Sequence, residues 1–75
     1  MKEPHVQTYH VAIVCEDGAH MSHSGLIRDH ATAIYAAACL QPQTCYAHVA
    51  TWYYVGQTKV AWQRLAHYTR EADIQ

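Results

Sequence analysis

Between His30 and Thr58 the chain runs twenty-nine residues without an aspartate, glutamate, lysine or arginine, and all eleven charged side chains lie at positions 2–29 or 59–73. A monomer surface ordinarily carries about a quarter to a third charged residues, with both signs mixed. So long an uncharged stretch must be buried on most sides or covered by something outside the chain. A chain of 75 residues cannot achieve the first alone, because a domain of this size hides only about 60 % of the surface its unfolded form exposes. The milder alternative is a surface of alanine and tyrosine that tolerates water.

The rest of the composition bounds the class. Apolar residues make up 51 % of the chain, too many for a disordered segment. There is no phenylalanine, but there are six tyrosines and two tryptophans, so most large apolar pieces carry a polar tip. A formal net charge of −1 fits neither a basic nucleic-acid coat nor an acidic mimic of DNA. The three cysteines, Cys15, Cys39 and Cys45, are odd in number and unpatterned, which favours a reducing compartment over a disulfide scaffold. The opening Met-Lys-Glu-Pro-His has no apolar core of a signal peptide, and the longest apolar run, Ala33 to Leu40, is too short to span a bilayer. The expectation is a single cytoplasmic domain over residues 1–75, with no membrane contact.

Hydrophobic patterning supplies the elements. Val6 to Cys15 reads as a strand, and Glu16-Asp17-Gly18 fits a three-residue hairpin loop with Gly18 in the left-handed position. That turn places Cys15 opposite Ala19, Ile13 opposite Met21, Val11 opposite His23 and Tyr9 opposite Gly25. One face of the hairpin is then mainly apolar. The other sets His10, Ala12 and Val14 against Ser24, Ser22 and His20. Asp29 is a natural N-cap for a helix from His30 to Leu40, stopped by Pro42. Cys45 to Val55 is dense in Tyr, Trp, Val and Thr and reads as a third strand beside the first. Gly56-Gln57-Thr58 breaks it and starts a second helix from about Lys59 to Ala72, with Ala61, Leu65, Tyr68, Thr69 and Ala72 in one stripe. The expected fold is therefore α+β: a small β-β-α-β-α domain, with a three-stranded, antiparallel-dominated sheet packed by two helices.

The uncharged middle then points to an interface. The first helix is apolar on opposite sides, with Ala33, Ala36, Ala37 and Leu40 on one and Ala31, Ile34, Tyr35 and Ala38 on the other. The third strand is aromatic on both of its faces. Charge depletion marks interface cores, and Tyr and Trp are enriched at binding hot spots. The expected anchors are Tyr46, Trp52, Tyr53 and Tyr54, with Tyr35 and Leu40 beside them.

Reaction chemistry is poorly provided for. His20-x-x-His23 and Cys45-x-x-His48 have zinc-like spacing, but in extended chain the members of each pair point to opposite faces, so no metal or other cofactor is expected. The three thiols sit among apolar and aromatic neighbours that leave them inert, and no nucleophile elbow, phosphate loop or carboxylate pair is present. Of the seven histidines, His5, His10, His20, His30 and His67 are expected to face solvent, and His23 to sit in the core. Protonating all seven would move the formal charge from −1 to +6, which would let binding depend on pH.

The reading that results is a non-enzymatic protein-binding module, an inhibitor or adaptor that occupies a surface of a larger protein, with a homodimer as one way of covering the middle. Small motif-free chains of this kind are common among accessory and phage-encoded inhibitors, anti-defence proteins included. The competing reading is a nucleic-acid-binding accessory protein that uses Lys59, Arg64, His67 and Arg70 on the basic side of the second helix.

Overall fold

The computed structural model describes residues 5–70. They form β1 (His5–Cys15), β2 (His20–Leu26), α1 (Arg28–Cys39), β3 (Thr44–Val55) and β4 (Thr58–Thr69). All four strands join one antiparallel sheet in the order β2-β1-β3-β4, with α1 against the central pair. The order β-β-α-β-β corrects the expected β-β-α-β-α: there are four strands instead of three, and one helix instead of two.

The first hairpin follows from its turn. Cys15 N–H donates to Ala19 O at 2.9 Å and Gly18 N–H to Cys15 O at 2.9 Å, while Asp17 Oδ1 accepts from Ala19 N–H. Gly18 stands at φ 89°, in the left-handed region where a side chain is disfavoured. Ile13 faces Met21 and Val11 faces His23, as the turn dictates. Tyr9 meets Leu26 instead of Gly25, because β2 carries an extra residue there. Gly25, at φ 70°, absorbs the bulge.

The helix begins two residues before the expected start. Ile27 occupies the N-cap position with no side-chain hydrogen bond, and Asp29 lies inside the first turn, where its charge favours the helix N-terminus. Only Ala31 and Ala38 of the helix are buried. Its outer side, including Ala33, Ala36 and Ala37, faces solvent.

The segment read as a second helix is β4, and the reason lies in the turn before it. Val55 pairs with Thr58 across the two-residue loop Gly56-Gln57, and Gly56 has φ 62°. A glycine at the first loop position is the pattern of a type II′ hairpin, whose twist matches that of the flanking strands. β4 also has two extra residues relative to β3, Val60 and Leu65. These bulges break the alternation of a strand and leave apolar residues at spacings that imitate a helix. Ala72, the end of the expected helix, lies outside the described residues.

The buried apolar residues are Val11, Ile13, Ala31, Ala38, Ala47, Val49 and Ala50, four of them alanines, so α1 lies close against the sheet. Tyr9, Cys15, Leu26, Ile34 and Tyr35 pack around them. A twelve-residue helix is about 18 Å long, whereas β3 and β4, with twelve residues each, span about 40 Å. The helix therefore shields the sheet near residues 9–15 and 44–49, and the strands run on past it. In that extension Thr51 is buried, its hydroxyl donating to Thr8 O at 3.0 Å and accepting from Gln7 Nε2 at 3.0 Å.

Candidate functional site

Strand parity divides the sheet into a helix side and an open side. Val11, Ile13, Ala47 and Val49 point to the helix. Their neighbours one residue away point the other way, where no element of the described residues covers them. Register sets His48 against His67, Ala50 against Arg64, Trp52 against Trp62 and Tyr54 against Lys59 on this open face. β1 adds Thr8, His10 and Ala12, and β2 adds His20, Ser22 and Ser24.

The face is organised by short-range contacts. His10 sits between two hydroxyls, with Nδ1 2.8 Å from Ser24 Oγ and Nε2 3.4 Å from Ser22 Oγ. Its ring centroid lies 5.9 Å from that of His48 and 6.2 Å from Trp52. The Tyr46 hydroxyl is 2.8 Å from His48 Nδ1. Lys59 Nζ stands 3.3 Å from the Trp52 ring centroid, a cation–π contact. The Trp52 indole N–H is buried without an acceptor among the described residues. Thr8, His10, Ser24, Gly25, Trp52 and Tyr54 line an open groove of about 400 Å3.

Electrostatically the face has one sign. Glu16 and Asp17 lie in the β1–β2 turn and Asp29 on α1, so among the described residues no carboxylate stands on the open face. Lys59 and Arg64 do, together with His10, His20, His48 and His67. Burial first, then the positive charges of His10, Arg64 and His67, hold His48 below the usual imidazole range.

This shift has a defined sign. Folded His48 stays neutral at pH values where the unfolded chain takes up a proton, so its contribution is complete above about pH 6.5 and is lost as pH falls from there through the folded pKa. The urea midpoint should accordingly be lower at pH 5 than at pH 7.5, and His48→Gln should make that difference smaller. An unchanged difference in the variant would assign the pH dependence to other groups.

The expected interface residues separate. Tyr46, Trp52 and Tyr54 share the open face. Tyr53 lies on the helix side, in the stretch beyond the helix, with its hydroxyl 3.3 Å from Gln7 Nε2. Tyr35 belongs to α1, where burial first and then the Cys39 thiol push its hydroxyl above the ordinary value. Leu40 caps the helix and is 83 % exposed. The basic set also divides. Lys59, Arg64 and His67 share the open face through strand geometry and its bulges, not on a helix. Arg70 lies at the far end, where Nη1 donates to Glu16 Oε2 and Pro42 O, both at 3.0 Å.

Two histidines depart from expectation. His10 is half-buried between its serine partners, and His23 is exposed because α1 does not reach over β2. His20 and His23 pair with Val14 and Val11, on opposite faces. Among the described residues no group of three or more His, Cys, Asp or Glu could hold a metal. No helix of the described residues is long and apolar enough to cross a membrane.

Trp62, in the segment read as a second helix, stands opposite Trp52 on the open face, and the Val55-Gly56-Gln57-Thr58 turn is the sequence signal for that pairing. In comparisons with known proteins, no family model, no curated protein and no solved structure matches the chain.

Proposed function

We propose that this chain is a non-enzymatic binding module that grips a larger protein through the open face of its sheet. The observation that carries this reading is the combination on one uncovered surface of Trp52, Tyr54 and Trp62 with Lys59 and Arg64, and with no described carboxylate. Aromatic rings give large contact area at small cost in side-chain entropy, and a surface of one sign selects a partner of the other. The partner surface that fits is acidic. As an inhibitor or adaptor, the module acts by occupying the surface it binds.

A second reading rests on the same geometry. Exposed rings beside cations also form a platform on which the bases of a single-stranded nucleic acid can stack. The two readings part in one experiment. Tagged protein is used to capture partners from a nuclease-treated lysate of the source cells, beside Trp52→Ala and Tyr54→Ala variants whose folding is checked by circular dichroism. A specific protein partner should survive nuclease treatment and bind each variant about fivefold or more weakly. Capture that vanishes with nuclease and falls steeply with salt would replace the protein partner with nucleic acid. Equal capture by wild type and both folded variants would remove the open face from either role.

A further inference from the structure

β4 is an edge strand, and it is unusually bare. Eleven of its twelve residues are exposed. It carries three of the large apolar side chains left in water: Val60 at 57 %, Trp62 at 50 % and Leu65 at 48 %. Strands at sheet edges present a row of unpaired backbone groups, and a long apolar one is a template for pairing with another chain. The opposite edge, β2, is shorter, with seven residues, and is broken by the bulge at Gly25. The usual edge protection by lysine is weak here, because Lys59 is folded over Trp52 of its own chain.

We propose that two copies of this chain pair antiparallel through β4, around a two-fold axis at Gln63, to form one eight-stranded sheet. The sequence of β4 is self-complementary in that register. Residues opposed in an antiparallel ladder must share a face. The β3 register puts Lys59, Trp62, Arg64 and His67 on the open face, and Thr58, Ala61, Gln63, Ala66 and Tyr68 on the helix side. Leu65 joins the helix side, where it lines the groove between α1 and β4 with Tyr9, Tyr35 and Val49.

A two-fold at Gln63 sets Trp62 against Arg64 of the second copy, Lys59 against its His67, Ala61 against its Leu65 and Thr58 against its Tyr68. Every one of these pairs agrees in face. Moving the axis to Trp62 would place Lys59 opposite Leu65, and moving it to Arg64 would place Trp62 opposite Ala66; both mix the faces. The two bulges, one on each side of Gln63, are what let these four pairs agree in face.

The contacts nearest the axis are also chemically matched. Each Trp62 ring receives the Arg64 guanidinium of the other copy, so symmetry gives two cation–π contacts. Each Leu65 lies opposite a small Ala61, which leaves room for it. No carboxylate of the described residues is brought into the junction, and the two Arg64 side chains do not face each other. The dimer also answers the thinness of the single core, which holds no buried apolar side chain larger than Ile13.

Sedimentation or light scattering of the full chain at about 20 μM should report twice the 8.5 kDa of the monomer. Leu65→Glu, which leaves the open-face groove untouched, should weaken the dimer at least tenfold while circular dichroism still shows a folded chain. Gln63→Cys places a thiol opposite its own copy, and a short bifunctional maleimide should link the two substituted positions, as mapped by mass spectrometry apart from the three native cysteines. A strictly monomeric wild type at 200 μM overturns the proposal. So does a dimer in which position 63 fails to cross-link, whether or not Leu65→Glu folds. Neither result bears on the open-face variants Trp52→Ala and Tyr54→Ala, so this proposal and the binding role fail separately.

Discussion

Ala47→Leu is expected to lower stability by about 3 kcal/mol, the upper end of what overpacking costs, or to prevent folding altogether. Ala47 is fully buried on β3, in one cluster with Ala31 and Ala38 of the helix. Small side chains on both elements set the separation between helix and sheet. Three further carbons can be accommodated only by lifting α1 from the strands, which would also open the packing around Val11 and Val49. Urea unfolding followed by far-ultraviolet circular dichroism measures the effect. Ala36→Leu on the exposed side of the same helix is the control and should change stability little, since it adds bulk where there is solvent. A well-folded Ala47→Leu with an unchanged midpoint would mean that the helix is not held this closely.

Gly56→Val is the second large effect, at about 2 kcal/mol. With φ at 62°, Gly56 occupies the left-handed region, which costs ordinary residues about 1–2 kcal/mol and β-branched ones more. The consequence should be concentrated in one element. β4 is held in the sheet by its ladder to β3 and carries no helix above most of its length, so loosening the turn frees the whole strand. Hydrogen exchange should show the β3–β4 ladder losing protection before the β1–β3 ladder does. Gly56→Asn, a residue that primed hairpin turns accept at positive φ more readily than a β-branched one, should lose less. Equal destabilisation by Val and Asn would show that backbone strain is not the cause.

These two positions also mark how far the chain could be read without coordinates. The first hairpin was legible because two signals agreed, the Glu16-Asp17-Gly18 turn and the alternation on either side of it. The third strand was legible from its β-branched and aromatic density. β4 was not, because Val60 and Leu65 shift the phase twice within twelve residues, and Gly56-Gln57 serves equally as a helix boundary and as a hairpin turn. Only the match across strands decides between them, and Trp52 opposite Trp62 is a tertiary fact with no local signature. The site shared that fate. Tyr46, Trp52 and Tyr54 came together because strand parity alone collects them. Tyr53, Tyr35 and Leu40 did not, because the uncharged stretch spans a strand and a helix that expose different sides. Lys59, Arg64 and His67 share a face although the element is a strand and not a helix, because the bulges at Val60 and Leu65 shift the strand's alternation twice, and Arg70 stands apart from them.

The strand order has a consequence for how quickly the native state is reached. β1–β2 and β3–β4 are joined by loops of three and two residues, and hairpins of this kind close in about 1–10 μs. The ladder between β1 and β3 joins residues about 30 to 50 positions apart in the chain, and such pairings dominate the folding time of small proteins. The rate should therefore be set by the docking of one preformed hairpin on the other, with α1 as the link that brings them side by side. During synthesis β1 waits, its inner edge unpaired, until β3 has left the ribosome.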